Sequence, residues 1–235
     1  MTSISIIIPT YNEEASIIHV LNAIETAKEE NQQVRFEVIV INDSSTDRTL
    51  SLLSANKGLY DVLVSTPKNS GKGGAVVLGL TKATGEYVLF QDGDLEYSPR
   101  DYSALLRPVC ELDADVVMGS RFLAPKLTRV HYFWNKVGNK LITMTFNIIN
   151  NSTFTDIYSC YLVYRRSLLD PTELRYKRWE QHGEILTLAV RRSARHFEVP
   201  ISYFGRTHEE GKKIRGYHIF SIFRALLLTR VRRLS

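Results

Sequence analysis

The sequence predicts an α/β fold built on a single, Rossmann-like, mostly parallel sheet flanked by helices. Three observations carry that expectation. The β-branched run Ile4–Ile8 opens the chain and is closed by Pro9, which has no N–H to give to a sheet ladder. From there to Phe90, short apolar runs alternate with segments of helical period, the pattern of βαβ units. The loops rich in Asp, Asn, Ser and Gly follow the apolar runs, at the carboxyl ends of the strands, where such sheets bind ligands.

Each element has its own reason. Ile4–Ile8 is uninterrupted and β-branched, as strands buried on both faces are. In Glu13–Glu30, Ile17, Val20, Leu21 and Ile24 recur at helical intervals. A strand follows at Phe36–Ile41, a helix at Asp47–Ala55, a strand at Asp61–Ser65, a helix at Gly73–Lys82 and a strand at Tyr87–Phe90. Helix Pro99–Leu112 starts with Ser98 as N-cap and Pro99 in the first helical position, where a missing N–H leaves no bond unmade. Strand Asp115–Gly119 ends in Ser120-Arg121. The pattern then changes. Trp134–Ile149 is rich in Trp, Phe, Leu, Ile and Met, with Asn and Lys at intervals. A strand at Tyr161–Tyr164, a helix at Glu180–Arg192, a strand at Phe197–Ser202 and a basic amphipathic segment Tyr217–Arg233 complete the chain. No linker or repeat interrupts it, so residues 1–235 read as one domain.

The 235 residues can bury one full core, and 44% hydrophobic with 23% charged residues is an ordinary globular balance. Cys110 and Cys160 are too few and too far apart for a disulfide framework or a zinc site, which points to a reducing, cytoplasmic compartment. Met1-Thr2-Ser3 leads straight into a strand, so no leader is expected. No stretch reaches the roughly 18 apolar residues of a membrane span. Charge is lopsided: residues from Gly205 onward carry a net +6, whereas the whole chain carries +5. A basic tail on a near-neutral body suits phosphates or an acidic membrane face. Its aromatic residues are not spaced as a base-stacking platform, so nucleic acid is not an expected partner.

The densest chemistry is in Gln91-Asp92-Gly93-Asp94-Leu95-Glu96. If extended backbone continued past Phe90, Asp92, Asp94 and Glu96 would share a face. Clustered carboxylates call for a cation, and hard oxygen donors suit Mg²⁺ or Mn²⁺, completed by substrate phosphates. A solvated turn ahead of the next helix is the plainer alternative. Asp43, ending the second strand, suits a base or ribose or a cap for helix Asp47–Ala55. Asn69-Ser70-Gly71-Lys72-Gly73-Gly74 suits a phosphate cradle near a helix start or a tight strand-to-helix connection. Arg121 suits a diphosphate clamp or a surface ion pair. Arg206, Lys212, Lys213 and Arg215 lie in a Gly-punctuated loop that suits a lid over an anion. His182 and His208 are base candidates or structural residues.

Together, SIIIPTYNEE from Ser5's strand onward, VINDSSTD around Asp43, Gly71–Gly74, Asp92-Gly93-Asp94, Gly119-Ser120-Arg121 and EVPISYFGR from Glu198 to Arg206 resemble family-two glycosyltransferases of the GT-A fold, above all the dolichyl- and polyprenyl-phosphate sugar synthases. The resemblance implies that residues 1–120 bind a nucleotide-sugar and residues 121–235 an acceptor. It implies that Pro9, Tyr11, Glu13 and Asp43 hold base and ribose, and that Asp92 and Asp94 face the diphosphate through Mg²⁺ or Mn²⁺. Glu96 stands where a further metal ligand is expected, and Arg121 and Arg206 where phosphates are contacted. Asn139, Asp156, Ser159 and Glu184 fall on the acceptor side. The chain departs from the family at Asn42–Ser45, at the bulky Asp156–Cys160 and at Arg178–His182.

The implied activity is inverting, metal-dependent transfer of a hexosyl group from a GDP-mannose or UDP-glucose type of donor to a polyprenyl or dolichyl phosphate. A hydroxyl acceptor would instead require a base, for which Glu184 and Asp156 are the candidates. A catalytically silent nucleotide-sugar-binding protein is the third alternative. Trp134–Ile149 and the basic C-terminal segment suit either core packing or the cytoplasmic face of an anionic membrane.

Overall fold

The structure, a computed structural model, describes residues 1–123, 133–205 and 218–232. Seven strands form one sheet: β1 (Thr2–Thr10), β2 (Val34–Asn42), β3 (Val62–Ser65), β4 (Tyr87–Phe90), β5 (Val116–Ser120), β6 (Leu162–Arg165) and β7 (His196–Pro200). Their order is β3-β2-β1-β4-β6-β5-β7. Neighbours run parallel except at β6, which lies antiparallel between β4 and β5. The mostly parallel sheet expected from the sequence is present.

The helices are α1 (Ile17–Glu30), α2 (Thr49–Ala55), α3 (Gly71–Leu80), α4 (Tyr102–Leu112), α5 (Phe133–Asn150), α6 (Glu180–Arg191) and α7 (His218–Val231). They cover both faces of the sheet, because successive strand residues point to opposite sides. Ile7 and Ile41 meet α3 at Gly79, where an added Cβ would lie 2.5 Å from Ile7 Cγ2. Phe36, in register with Ile4, stacks instead on Tyr102 of α4, with ring centroids 6.3 Å apart. Cover on both faces is why β1 reads as a solid run: Ile4, Ile6, Ile7 and Ile8 are all fully buried.

Several helix starts differ from the sequence expectation, among them α2, which begins at Thr49 rather than Asp47, and two with a clear cause. Helix α1 begins at Ile17 rather than Glu13, because the residues before it lace two loops together. Asn12 turns at φ 55°, and its side-chain oxygen accepts from the Thr46 N–H at 2.8 Å. Glu14 likewise pairs with Arg48 at 3.1 Å. Helix α3 begins at Gly71, which enters it at φ 78°, a left-handed conformation that glycine adopts without a Cβ clash. The expected cap holds: Ser98 Oγ accepts from the Arg100 N–H at 3.4 Å, and a 3₁₀ turn at Pro99–Asp101 leads into α4.

Helices α5 and α7 pack together and against α6. The core packing expected for Trp134–Ile149 is met on one face of α5. Ile142 and Phe146 are core, while Trp134 (78% exposed), Leu141, Met144 and Ile148 (72%) form an outward stripe. In α7, Ala225 and Leu226 are buried, and Phe220, Leu227, Leu228 and Val231 face out. No described helix is long and apolar enough to cross a membrane.

The reversal of β6 has a local effect. It brings the approach Tyr158–Tyr161 to the sheet edge that carries the carboxyl ends of β1, β2, β4, β5 and β7.

Candidate active site

A cavity of about 640 Å³ opens at that edge, lined by the loops after β1 and β4. This is the switch point of the sheet, since β2 and β3 lie on one side of β1 and β4 on the other.

The acidic segment is a turn. Strand β4 stops at Phe90, so the shared strand face expected for Asp92, Asp94 and Glu96 does not form. Beneath the turn, fully buried Gln91 takes hydroxyl hydrogen bonds from Tyr102 (3.0 Å) and Tyr161 (2.8 Å) and donates to the Asp92 carbonyl (3.0 Å). The Glu96 N–H donates to Asp94 Oδ1 at 3.0 Å, which folds the turn back on itself. All three acids line the cavity. Among the described residues, however, no three acidic, His or Cys side chains converge into a ready metal cage. Glu96 accepts from the Tyr203 hydroxyl at 2.9 Å, and Asp92 pairs with the Lys72 ammonium. Burial pushes the Asp92 carboxyl up, but the charge and hydrogen bond of Lys72, with the Cys160 thiol, outweigh it and the net shift is downward. Burial alone would lower Lys72, and Asp92 reverses that to a net rise. Asp92 and Asp94 are oxygen donors of the kind that holds Mg²⁺ or Mn²⁺ when a diphosphate completes the shell. The donor set fits a cation that arrives with substrate.

The glycine loop serves the protein's own backbone. Asp43, almost fully buried, accepts from the N–H groups of Ser70 (2.9 Å) and Gly71 (2.8 Å), from Ser70 Oγ (2.8 Å) and from Thr66 Oγ1 (2.9 Å). It therefore caps the neighbouring helix α3, while Asp47 caps α2 through the Thr49 N–H at 2.9 Å. The N–H of Gly74 donates to the Lys177 carbonyl at 3.2 Å. A Cβ on Gly73 would lie 2.5 Å from the Lys177 carbonyl carbon. The expected phosphate cradle is thus corrected: three of its N–H groups (Ser70, Gly71 and Gly74) already have acceptors, and the glycines admit the chain leading into α6. Asn69, Ser70, Gly71 and Lys72 of the loop line the cavity, and Lys72 brings it a positive charge. Pro9, Tyr11, Glu13 and Asp43 also line it.

Arg121 is 8% exposed and lines the cavity. Its Nε and Nη2 donate to Asp156 Oδ2 (2.7 Å) and Oδ1 (2.9 Å), and its guanidinium sits 5.1 Å from the Tyr203 ring centroid. Glu198 of β7 in turn accepts from the N–H groups of Thr155 (2.9 Å) and Asp156 (3.0 Å). A guanidinium has five N–H donors, so Asp156 can orient Arg121 and leave donors for an anion.

Two base candidates are corrected by their surroundings. Burial raises the Asp156 carboxyl, but the Arg121 charge and its hydrogen bonds outweigh that and bring it below the usual range. An ionised carboxylate committed to a buried guanidinium does not take up a substrate proton. Glu184, buried in α6, lies outside the cavity lining. It accepts from the N–H groups of Arg175 (3.0 Å) and Tyr176 (3.1 Å) and holds the loop ahead of the helix. Ser159 lines the cavity, whereas Asn139, on α5, does not. Arg206, His208, Lys212, Lys213 and Arg215 lie outside the described residues.

Another part of the wall is made by Tyr158 and by Arg178, Trp179, Gln181 and His182 at the start of α6. Burial and the nearby Lys72 charge push His182 down to about 4, so it is neutral at pH 7. Sequence reasoning missed Gln91, Glu198 and Tyr203 as supports. Gln91 did leave a signal, as the polar residue that follows a four-residue apolar strand.

Comparison with known proteins agrees with this architecture. Residues 5–172 match the family model described as Glycosyl transferase family 2. A UDP-N-acetylglucosamine–dolichyl-phosphate N-acetylglucosaminyltransferase of Methanococcus voltae is 26% identical over 250 residues, covering 97% of this chain and 96% of that one. A low-salt glycan biosynthesis hexosyltransferase of Haloferax volcanii is 29% identical over 211 residues, covering 88% of this chain, which spans about half (49%) of the relative's length. Among solved structures, glucosyl-3-phosphoglycerate synthase from Mycobacterium tuberculosis, in complex with Mn²⁺, UDP and phosphoglyceric acid, superposes with a TM-score of 0.70 at 19% identity, covering 100% of this chain and 80% of that one. The shared fold is of the GT-A type.

Proposed function

Because the chain belongs to glycosyl transferase family 2 and is a glycosyltransferase, we propose that it transfers a hexosyl group from a nucleoside-diphosphate sugar to a polyprenyl or dolichyl phosphate, with inversion, at an anionic membrane face. The carrying observation is one cavity lined both by Asp92 and Asp94 and by Arg121 and Arg178. The carboxylates lining it come from the loops after β1, β2 and β4 (Glu13, Asp43, Asp92, Asp94 and Glu96), and none among the described lining residues comes from the α6 side. A hydroxyl acceptor would need a base there, and His182, held near pKa 4, is too weak a one at neutral pH. A phosphate acceptor needs none, and the arginines suit its charge. The dolichyl-phosphate acceptor named for the Methanococcus relative is of this class.

In the proposed reaction an anionic oxygen of the acceptor phosphate attacks C1 of the hexose. The bond from C1 to the donor diphosphate breaks, and the nucleoside diphosphate leaves with the electron pair. No proton changes hands. Asp156 holds Arg121 so that its free N–H edge meets phosphate oxygens, and Lys72 adds a second positive charge beside Asp92. A bound Mg²⁺ or Mn²⁺, held by Asp92 and Asp94, would neutralise charge on the leaving diphosphate. Residues 1–120 would hold the donor and residues 121–235 the acceptor. In a thermal-shift screen of GDP-, UDP- and dTDP-sugars, one nucleotide class is expected to raise the melting point, more so with Mn²⁺, because ligands of the folded state stabilise it. No shift with any of them would sink the proposal.

Helices α5 and α7, which pack together, expose Lys136, Lys140, Arg224 and Arg230 beside their outward apolar residues, the mixture that binds anionic bilayers. Co-sedimentation with acidic vesicles is expected, weakened at high salt. Trp134→Asp with Phe220→Asp is expected to lower binding by about tenfold or more, as burying one large apolar side chain is worth about 1.5–3 kcal/mol. Equal sedimentation of wild type and variant would refute the membrane face.

A further inference from the structure

Two buried polar atoms in the cavity wall have no hydrogen-bond partner among the described residues: Gln181 Nε2 and His182 Nε2. Both residues line the cavity, and Gln181 is only 4% exposed. Folded proteins satisfy nearly all such groups, so orphan atoms on two successive residues that line a cavity call for an outside partner. The surroundings define its chemistry. The His182 ring lies between two aromatic rings, 6.5 Å from Phe90 and 5.7 Å from Tyr158. Tyr158 is tied by its hydroxyl to the Trp179 carbonyl at 3.0 Å, so the wall is braced. Charged residues that act on His182 (Lys72, Asp92, Asp156 and Arg121) belong to other elements, and Lys72 and Arg121 are each paired with a carboxylate. Around Gln181 and His182 the wall therefore presents neutral hydrogen-bonding groups framed by aromatic faces, with Arg178 the charged lining residue of the same stretch. It suits an uncharged, hydroxyl-rich ring better than a phosphate.

We infer that Gln181 and His182 read the hydroxyls of the transferred sugar and set donor-sugar specificity, an assignment that rests on the transferase reading. The His182 ring lies 6.5 Å from that of Phe90, the last residue of the strand that leads into the acid turn. A hexose attached to a diphosphate at the acid turn would therefore reach the start of α6. A site built to hydrogen-bond a hydroxyl leaves its own buried groups unpaired when that hydroxyl is missing, and so rejects the deoxy analogue.

The test is calorimetric titration of the full chain, with Mn²⁺, using UDP and GDP alone, then UDP-glucose, UDP-N-acetylglucosamine and GDP-mannose, then the monodeoxy analogues of whichever sugar binds. Wild type is expected to bind one deoxy analogue about ten- to a hundredfold more weakly than its parent, the effect of an unpaired buried polar group. In Gln181→Leu or His182→Leu that gap should shrink to about threefold or less, as a site that cannot pair the hydroxyl no longer misses it. His182→Gln, which keeps a donor and an acceptor, should restore much of the gap. Affinity for the bare nucleoside diphosphate should hold in all three variants, which also reports that they fold. If the variants discriminate as wild type does, or lose the bare nucleotide as well, the inference is overturned and the transferase reading stands. If wild type binds no nucleotide or sugar nucleotide, both fall.

Discussion

Asp94→Ala is expected to reduce donor turnover by about 10²–10³-fold or more, the cost of removing one fixed electrostatic contact to charge that develops in a transition state. Asp94 sits in the turn after β4 and lines the cavity beside Asp92. Its Oδ1 accepts from the Glu96 N–H, but the turn has a separate anchor in Gln91, whose side chain is held by Tyr102 and Tyr161. The acid can therefore be removed while its scaffold stays. Asp94→Asn is the sharper variant, because it keeps volume and the turn hydrogen bond and loses only the charge. Release of nucleoside diphosphate in the presence of Mn²⁺ is the measurement, with a melting curve for each variant. Asp92→Ala should be equally inactive and also lower the melting point, since it leaves Lys72 partly buried without its partner. Turnover unchanged in Asp94→Ala would remove the acidic turn from the mechanism.

The second large effect is on stability. Asp156→Asn strands the Arg121 guanidinium, 8% exposed, without its counter-charge. Breaking a buried pair from one side costs about 3–5 kcal/mol. For a chain of this size each kcal/mol lowers the melting point by about 2–4 °C, so a fall of roughly 6–20 °C is expected. Arg121→Met with Asp156→Asn should lose less than the two single losses combined, because the double variant buries no lone charge. The pair also shapes the pH response. Burial raises the Asp156 carboxyl and Arg121 more than reverses this, so the folded value lies below the ordinary 3.8. The unfolded chain then takes up its proton first as pH falls. This stabilisation is full above the unfolded value and is lost as pH drops through the folded one. Urea denaturation of wild type between pH 5 and pH 2.5 should show that loss, and Asp156→Asn should show a shallower slope. Equal slopes would show that the pair carries no linkage.

Much of the fold was legible because the two periods of backbone geometry are local. A run such as Ile4–Ile8 has one reasonable state, and the helical spacing of Ile17, Val20, Leu21 and Ile24 has another. The acidic turn was legible as a site but not in its geometry. Alternation predicts a shared face only while the strand lasts, and β4 ends at Phe90. Asp43 was recognised as a strand-end carboxylate, yet the helix it caps belongs to the next βα unit, 27 residues on from Asp43 to Ser70. Glu184 carried the signal of an acid on an amphipathic helix, and only its neighbours show that it serves backbone N–H groups.

By itself the sequence determined the class of fold, the order of its elements and the sheet edge at which the polar loops gather, because these follow from short-range periodicity and from the rule that parallel strands end together. The tertiary structure decided which charges meet. Lys72 reaches Asp92 across 20 positions, Asp156 holds Arg121 across 35, and Tyr203 reaches Glu96 across 107. Those pairings depend on strand order, above all on β6 entering antiparallel between β4 and β5. Hydrophobic period records which face of a strand is buried and carries no information about the strand beside it.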